Sequence, residues 1–295
     1  MSQDSQPLVS IVTPSLNSAS FLRQCIESVL GQDYPRIEYI IMDGGSTDAT
    51  PSILETYRDG VARIQVARDF GQAQAVNRGL AGSSGDIVAF LNADDAYLPH
   101  AVAEAVQAFA AHPEADVVYG NAYHVTEDGS IVAPYPTEDF YRAALRRRCY
   151  ICQPAAFVRR AAFDRAGAMN PKLHYVLDYD LWLRLAAQSS FLRIEPYLAV
   201  SRVHAKSKSV SNRHAFYREV FATLESHFDY VPYEWVQGYA SCLIERRDQF
   251  FTRPRHTFAA ALLCLLMGTW MNRRHAETFW SDWLTHRTIG KNLQR

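Results

Sequence analysis

Five short runs rich in β-branched residues punctuate the first 120 residues: LVSIVT (8–13), IEYIIM (37–42), ARIQVA (62–67), DIVAFL (86–91) and ADVVYG (115–120). Their length and composition predict strands. Between the first two, Phe21, Leu22, Cys25, Ile26, Val29 and Leu30 recur at helical spacing, with Gly31 as the expected C-terminal cap. Thr50-Pro51 has the form of an N-cap followed by a first-turn proline, and the alanine-rich residues 98–111 predict a further helix. Strands alternating with helices of this length require right-handed crossovers and a mostly parallel sheet covered on both faces. The predicted fold class is α/β.

Past residue 120 the rhythm changes. NAYHVTEDGSIVAPY carries Asp128-Gly129 between two extended runs, a hairpin signal. DLWLRLAA (180–187) reads as a helix, and beyond His214 helix formers and aromatics dominate. The longest apolar stretch, FAAALLCLLMGTWM (258–271), is too short for a membrane-spanning helix, which needs about 20 residues. Arg253, Arg255, His256, Arg273, Arg274 and His275 flank it, so it fits either a core helix or one lying in a lipid interface. With no internal repeat or low-complexity linker, the expected organisation is one α/β domain over residues 1–212 and a helical extension over 213–295.

Composition narrows the setting. The net charge of −1 over 295 residues argues against a nucleic-acid partner held by bulk charge. Residues 1–7 lack the hydrophobic core of a signal peptide, and five cysteines, an odd number, point to a reducing compartment, hence a cytoplasmic protein. Cys149 and Cys152 form a C-x-x-C pair without a second pair to complete a zinc site, so they read as ordinary thiols.

In open parallel sheets ligands bind beyond the carboxyl ends of the strands. Here polar turns follow four strands: PSLNS, DGGSTD, RDFGQAQ and NADD. In the second, two glycines permit close backbone approach while Asp43 offers acceptors to a base or sugar, or to its own turn. It has neither the lysine of a phosphate loop nor the G-x-G-x-x-G spacing of a dinucleotide site. In the fourth, Asp94 and Asp95 are hard ligands suited to Mg²⁺ or Mn²⁺ whose shell a substrate's phosphates complete; the alternative is a cap for the next helix. Asp178 and Asp180 precede an apolar helix, as caps or as a general base. SRVHAKSKS (201–209) clusters Arg202, His204, Lys206 and Lys208, either a diphosphate clamp with a metal-binding histidine or a solvated loop. Arg146-Arg147-Arg148 reads as a solvated face, or as a contact for the phosphate of a lipid-linked acceptor.

Together SIVTPSLN, IIMDGGSTDAT, AVNRGLAGSSGDIVAFLNADD, DYDLWLRLA and RVHAKSKS resemble the ordered signature of family 2 glycosyltransferases, in the branch with a D-G-G-S-T-D turn. The resemblance runs from about residue 8 to residue 212. It implies the GT-A fold, Rossmann-like with a mostly parallel central sheet flanked by helices. It further implies a nucleotide-diphosphate-sugar donor (a UDP-sugar first), a divalent cation, and inverting transfer to the hydroxyl of a glycan or lipid-linked saccharide, as in bacterial surface polysaccharide synthesis. By position, Pro14, Asn17, Asp43 and Gly44 would line the nucleoside pocket, and Asn77 and Arg78 would help close it. Asp94 would face ribose or metal, and Asp95 would ligate the metal. Asp178 would be the base, with Asp180 as fallback. His204 would contact metal or diphosphate beside Arg202. Two departures stand out: Gly44 replaces an acid that reads the base, and Asn92 replaces the first acid of the common D-x-D-D turn. The alternatives are a sugar-phosphate nucleotidyltransferase, disfavoured because PSLNS lacks glycine and basic residues, and a catalytically inactive nucleotide-sugar-binding protein. Peripheral contact with the inner face of the membrane is a further expectation.

Overall fold

In the computed structural model, strands β1 (Val9–Ser15), β2 (Ile37–Asp43), β3 (Arg63–Val66) and β4 (Ile87–Phe90) pair in parallel in the order β3-β2-β1-β4. The structure describes residues 6–67, 71–205, 207–245 and 257–292. Part of the third polar turn, Arg68 to Phe70, and Lys206 lie outside the described residues.

Helices α1 (Leu22–Leu30), α2 (Thr50–Thr56) and α3 (Gln72–Ala81) connect these strands. The helical spacing at residues 21–30 buries Leu22, Cys25, Ile26 and Val29 against Ile11 and Ile41 of the sheet. Helix α3 approaches β1 so closely that a Cβ on Gly79 would sit 2.5 Å from Val12 Cγ1, which is why no larger residue fits there.

The remainder of the sheet is mixed. The two-residue β5 (Ala96–Tyr97) precedes α4 (Ala101–Ala111); β6 (Val117–Val125) and β7 (Ile131–Pro134) form the expected hairpin, with Gly129 at φ +88° in its turn. Helix α5 (Arg142–Arg147) follows, then β8 (Ala156–Arg159), α6 (Arg160–Ala166), α7 (Leu177–Ala186) and β9 (Phe191–Arg202). Strand β8 is antiparallel to both β4 and β6, while β9 is parallel to β6. Two reversals restore the direction, so β9 delivers Arg202 at the same end of the sheet as Asp43 and Asn92. Strand β5 folds back antiparallel along β9, with Ala96 opposite Val200. That pairing brings the NADD turn beside Arg202.

Two compact units share the chain, Met1–Phe140 with Tyr150–His204, and Tyr141–Cys149 with Ala205–Arg295. The second contains α5 and the helices α8 (Lys208–Ser211), α9 (Arg213–Phe228), α10 (Tyr233–Glu245), α11 (Phe258–Met271) and α12 (Ala276–Asn292). Arg146 and Arg147 do not form a solvated face: Arg146 lies over the Phe228 ring at 5.1 Å, and Arg147 approaches Glu234 at 3.7 Å and Asp282 at 3.9 Å. The apolar stretch at α11 is neither wholly core nor wholly surface. Ala260, Ala261, Cys264 and Gly268 are buried, while Phe258, Leu262, Leu266 and Trp270 are exposed. Among the described residues no helix is long and apolar enough to cross a membrane. Cys149 and Cys152 are not joined in a disulfide.

Candidate functional site

The loops after β1 and β2 are stitched into one rim. Asp43, buried at the end of β2, accepts hydrogen bonds from Gly45 N (3.1 Å), Ser46 N (2.9 Å) and Ser46 Oγ (2.6 Å). Its carboxylate is thus largely given to its own turn, and only its spare lone pairs remain for a nucleoside. Gly45 takes φ +86°, a conformation that favours glycine. Pro14 lies opposite Met42 in the parallel register, and Gly44 N donates to Ser15 O at 2.8 Å. Asn17, itself left-handed at φ +50°, accepts from Thr47 N at 2.8 Å and donates its backbone N–H to Ser46 Oγ at 2.7 Å.

The NADD turn separates its two acids. Asp95 is buried: Oδ1 accepts from Arg202 N at 2.9 Å and Oδ2 from Asn92 Nδ2 at 3.2 Å. Burial, and then the neighbouring Asp94 charge, hold its carboxyl well above the usual range. Asp94 faces outward with its side chain 33% exposed, and its Oδ2 is 3.1 Å from His204 Nε2. The expectation that Asp95 is the principal metal ligand therefore shifts. Asp95 serves the turn, while Asp94 and His204 are brought together. Nor does either acid cap a helix, since α4 begins only at Ala101 after His100.

Arg202 is also redirected. Its Nε donates to Asp94 O (2.9 Å), Nη1 to Thr126 O and Glu127 O (both 2.9 Å), and Nη2 to Gln24 Oε1 (2.6 Å). The guanidinium lies 5.0 Å over the Phe21 ring, whose other neighbour is His204 at 5.0 Å between ring centroids. A buried cation committed to carbonyls is a clamp for the turn rather than for a diphosphate. Arg202→Ala is expected to cost about 2–4 kcal/mol by removing a buried side chain together with its four hydrogen bonds. A lowered urea midpoint with normal donor affinity per folded molecule checks this; a diphosphate contact would give the reverse.

Asn92, standing where the family's first acid is expected, is a neutral hub. Its Oδ1 accepts from Gln72 Nε2 at 2.6 Å, its Nδ2 donates to Gln153 Oε1 at 3.0 Å, and its carbonyl accepts from Asp95 N and Cys25 Sγ. Burial pushes the Cys25 thiol up to about 12, which keeps it protonated as a donor.

Asp178 and Asp180 both fall inside the first turn of α7, which begins three residues earlier than the periodicity indicates. Asp180 is paired with Arg184 at 2.9 Å, and Arg184 also donates to Gly167 O. That engagement makes Asp180 structural. Asp178 is half-buried, and Tyr179 N donates to its Oδ1 at 2.9 Å. Burial pushes its carboxyl up from 3.8 to about 6. Asn77 exchanges two hydrogen bonds with the Met169 backbone, at 2.8 and 2.9 Å, so its amide fastens the 167–170 loop. Arg78 is exposed near the end of α3.

The profile of Glycosyl transferase family 2 matches residues 10–167, more than half the chain. The chain belongs to that family. This family 2 chain is 32% identical over 192 residues to the O-antigen biosynthesis protein RfbC of Myxococcus xanthus, covering 63% of itself and 15% of that protein. It is 28% identical over 207 residues to an uncharacterized glycosyltransferase of Rickettsia prowazekii, covering 68% and 65%. It is 31% identical over 182 residues to a PGL/p-HBAD biosynthesis glycosyltransferase of Mycobacterium tuberculosis, covering 60% and 69%. Thus the chain spans less than two thirds of the first two relatives. Among solved structures it is similar to S. aureus TarS 1-349 in complex with UDP-GlcNAc (TM-score 0.64, 16% identity, 97% of this chain and 91% of that). It is also similar to the mannosyltransferase PcManGT from Pyrobaculum calidifontis in complex with GDP-Man and Mn²⁺ (TM-score 0.57, 18% identity, 99% and 81%). At such identities the likeness concerns the fold, which is GT-A-like: a mixed, mostly parallel sheet flanked by helices, with C-terminal helices.

Proposed function

We propose that this family 2 glycosyltransferase moves a sugar, with inversion, from a UDP-sugar to an acceptor hydroxyl in the synthesis of a bacterial surface glycan or glycolipid. The observation that carries the reading is the pairing of Asp94 with His204, 110 positions apart in sequence, at the ligand end of the sheet. The names of the O-antigen and PGL/p-HBAD relatives support the setting, and the UDP-GlcNAc held by TarS supports the donor class. PcManGT, holding GDP-Man, keeps a GDP-sugar as the second reading. The odd number of cysteines, five, supports a reducing, cytoplasmic location as part of this proposal.

A carboxylate oxygen and an imidazole nitrogen suit Mn²⁺ or Mg²⁺, the former better. Among the described residues no group of three His, Cys, Asp or Glu could hold a metal ion, so the donor's phosphates and water would complete the shell. Such a cation, held by Asp94 and His204, would neutralise charge on the departing diphosphate. The Mn²⁺ bound by PcManGT supports this assignment. Asp178 takes the proton of the acceptor hydroxyl. The acceptor oxygen forms a bond to the anomeric carbon as the bond from that carbon to the diphosphate oxygen breaks, and the electron pair leaves with the nucleoside diphosphate.

A thermal-shift panel of UDP, GDP, dTDP and CMP, each with and without Mn²⁺, tests donor and metal together. UDP with Mn²⁺ should raise Tm by several degrees, and UDP alone much less. A larger shift with GDP would transfer the assignment to the second reading, and equal shifts without Mn²⁺ would remove the metal.

A further inference from the structure

Helix α11 contains no charged residue, yet one side of it is not covered. Phe258, Leu262, Leu266 and Trp270 are 73%, 45%, 62% and 78% exposed. They are spaced by four, so each is displaced by about 40° from the last and together they form one apolar stripe. The opposite side is packed tightly: a Cβ on Gly268 would lie 1.9 Å from Phe279 Cζ of α12. Helix α12 adds a second exposed pair at the same spacing, Trp280 (45%) and Leu284 (59%). Trp280 Nε1 donates to Thr269 Oγ1 at 2.8 Å, and Thr269 falls on the helical wheel between Phe258 and Leu262. The two stripes therefore adjoin.

Charge appears just past the end of α11. Arg273 and Arg274 are exposed, with Asp229 3.6 Å from Arg274 and 3.3 Å from His275, while Glu277 opens α12. An apolar stripe with tryptophans on it, two exposed arginines just past its end and a length of 14 residues has the chemistry of a helix lying in a lipid interface rather than crossing it. We infer that the α11–α12 face docks on an anionic lipid bilayer, with the stripe among the acyl boundary and Arg273 and Arg274 at the headgroups. This goes beyond the glycosyl-transfer reading and does not depend on it.

Flotation of the full chain with phosphatidylcholine vesicles, with and without phosphatidylglycerol at about one third of the lipid, tests it. The wild type should float with the anionic vesicles. Leu262→Glu combined with Leu266→Glu, both at exposed positions, should reduce flotation at least about tenfold with an unchanged circular-dichroism melt. Arg273→Glu with Arg274→Glu should weaken binding to anionic vesicles and leave neutral ones unaffected. The inference is overturned if the wild type stays in the dense fraction, or if the double leucine variant floats equally well. It is also overturned if light scattering shows a dimer that the leucine variant disperses while vesicles remain unbound, since a second copy would then cover the face.

Discussion

Asp178→Asn is expected to lower turnover by about 10²–10⁴ and, at alkaline pH, to make the protein more stable. Burial raises the Asp178 carboxyl to about 6. The native protein holds that proton more tightly than the unfolded chain, so the group's contribution is intact below the unfolded value of 3.8 and is lost as pH rises through about 6. Above that range a neutral amide relieves a penalty of about 1–3 kcal/mol, the size set by the shift. Urea melts at two pH values check the sign: the variant should be the more stable near pH 8 and level with wild type near pH 4. Turnover of the wild type should rise with pH through about 6, and the variant's residual rate should lose that limb. Full activity in Asp178→Asn would place the base elsewhere. Asp180 could not inherit the role without releasing Arg184.

The adjacent acids give the second large contrast. Asp94→Ala should abolish the Mn²⁺-dependent part of donor affinity, a loss of at least about tenfold, while leaving the melting temperature nearly unchanged because that side chain is one-third exposed. Asp95→Ala should instead unfold early, since it strands the Arg202 N–H and the Asn92 amide, at about 1–3 kcal/mol each. Calorimetric titration of UDP with Mn²⁺ beside a urea melt separates the two. Swapped outcomes would return the metal to Asp95.

The legible parts of this molecule were those with a local pattern. Strands β1, β2 and β4 announce themselves as apolar runs, and the turns after them as polar breaks, so the ligand end of the sheet could be named from the residues. Strand β9 could not. Pro196 sits inside it, which normally argues against a strand, and it is tolerated because the pairing with β6 is irregular there, between Tyr119 and Asn121. Strand β5 is two residues long and exists only by pairing with β9, so no window along the chain could find it. The roles of Asp94, Asp95 and Arg202 all depend on that pairing. Gln24, Gln72 and Gln153 were invisible for a related reason: a lone amide has no period, and its partners lie 20 to 178 positions away.

The buried Arg202 ties together segments that the chain order keeps far apart: α1 through Gln24, the NADD turn through Asp94 and Asp95, the β6–β7 hairpin through Thr126 and Glu127, and the end of β9. For the energy landscape this makes the ligand end of the sheet one cooperative opening unit rather than four independently fraying loops. The Arg202 amide, bonded to a buried carboxylate, should exchange its hydrogen about as slowly as the core strands. A donor would then meet groups already in place, and little ordering entropy would be charged to its binding.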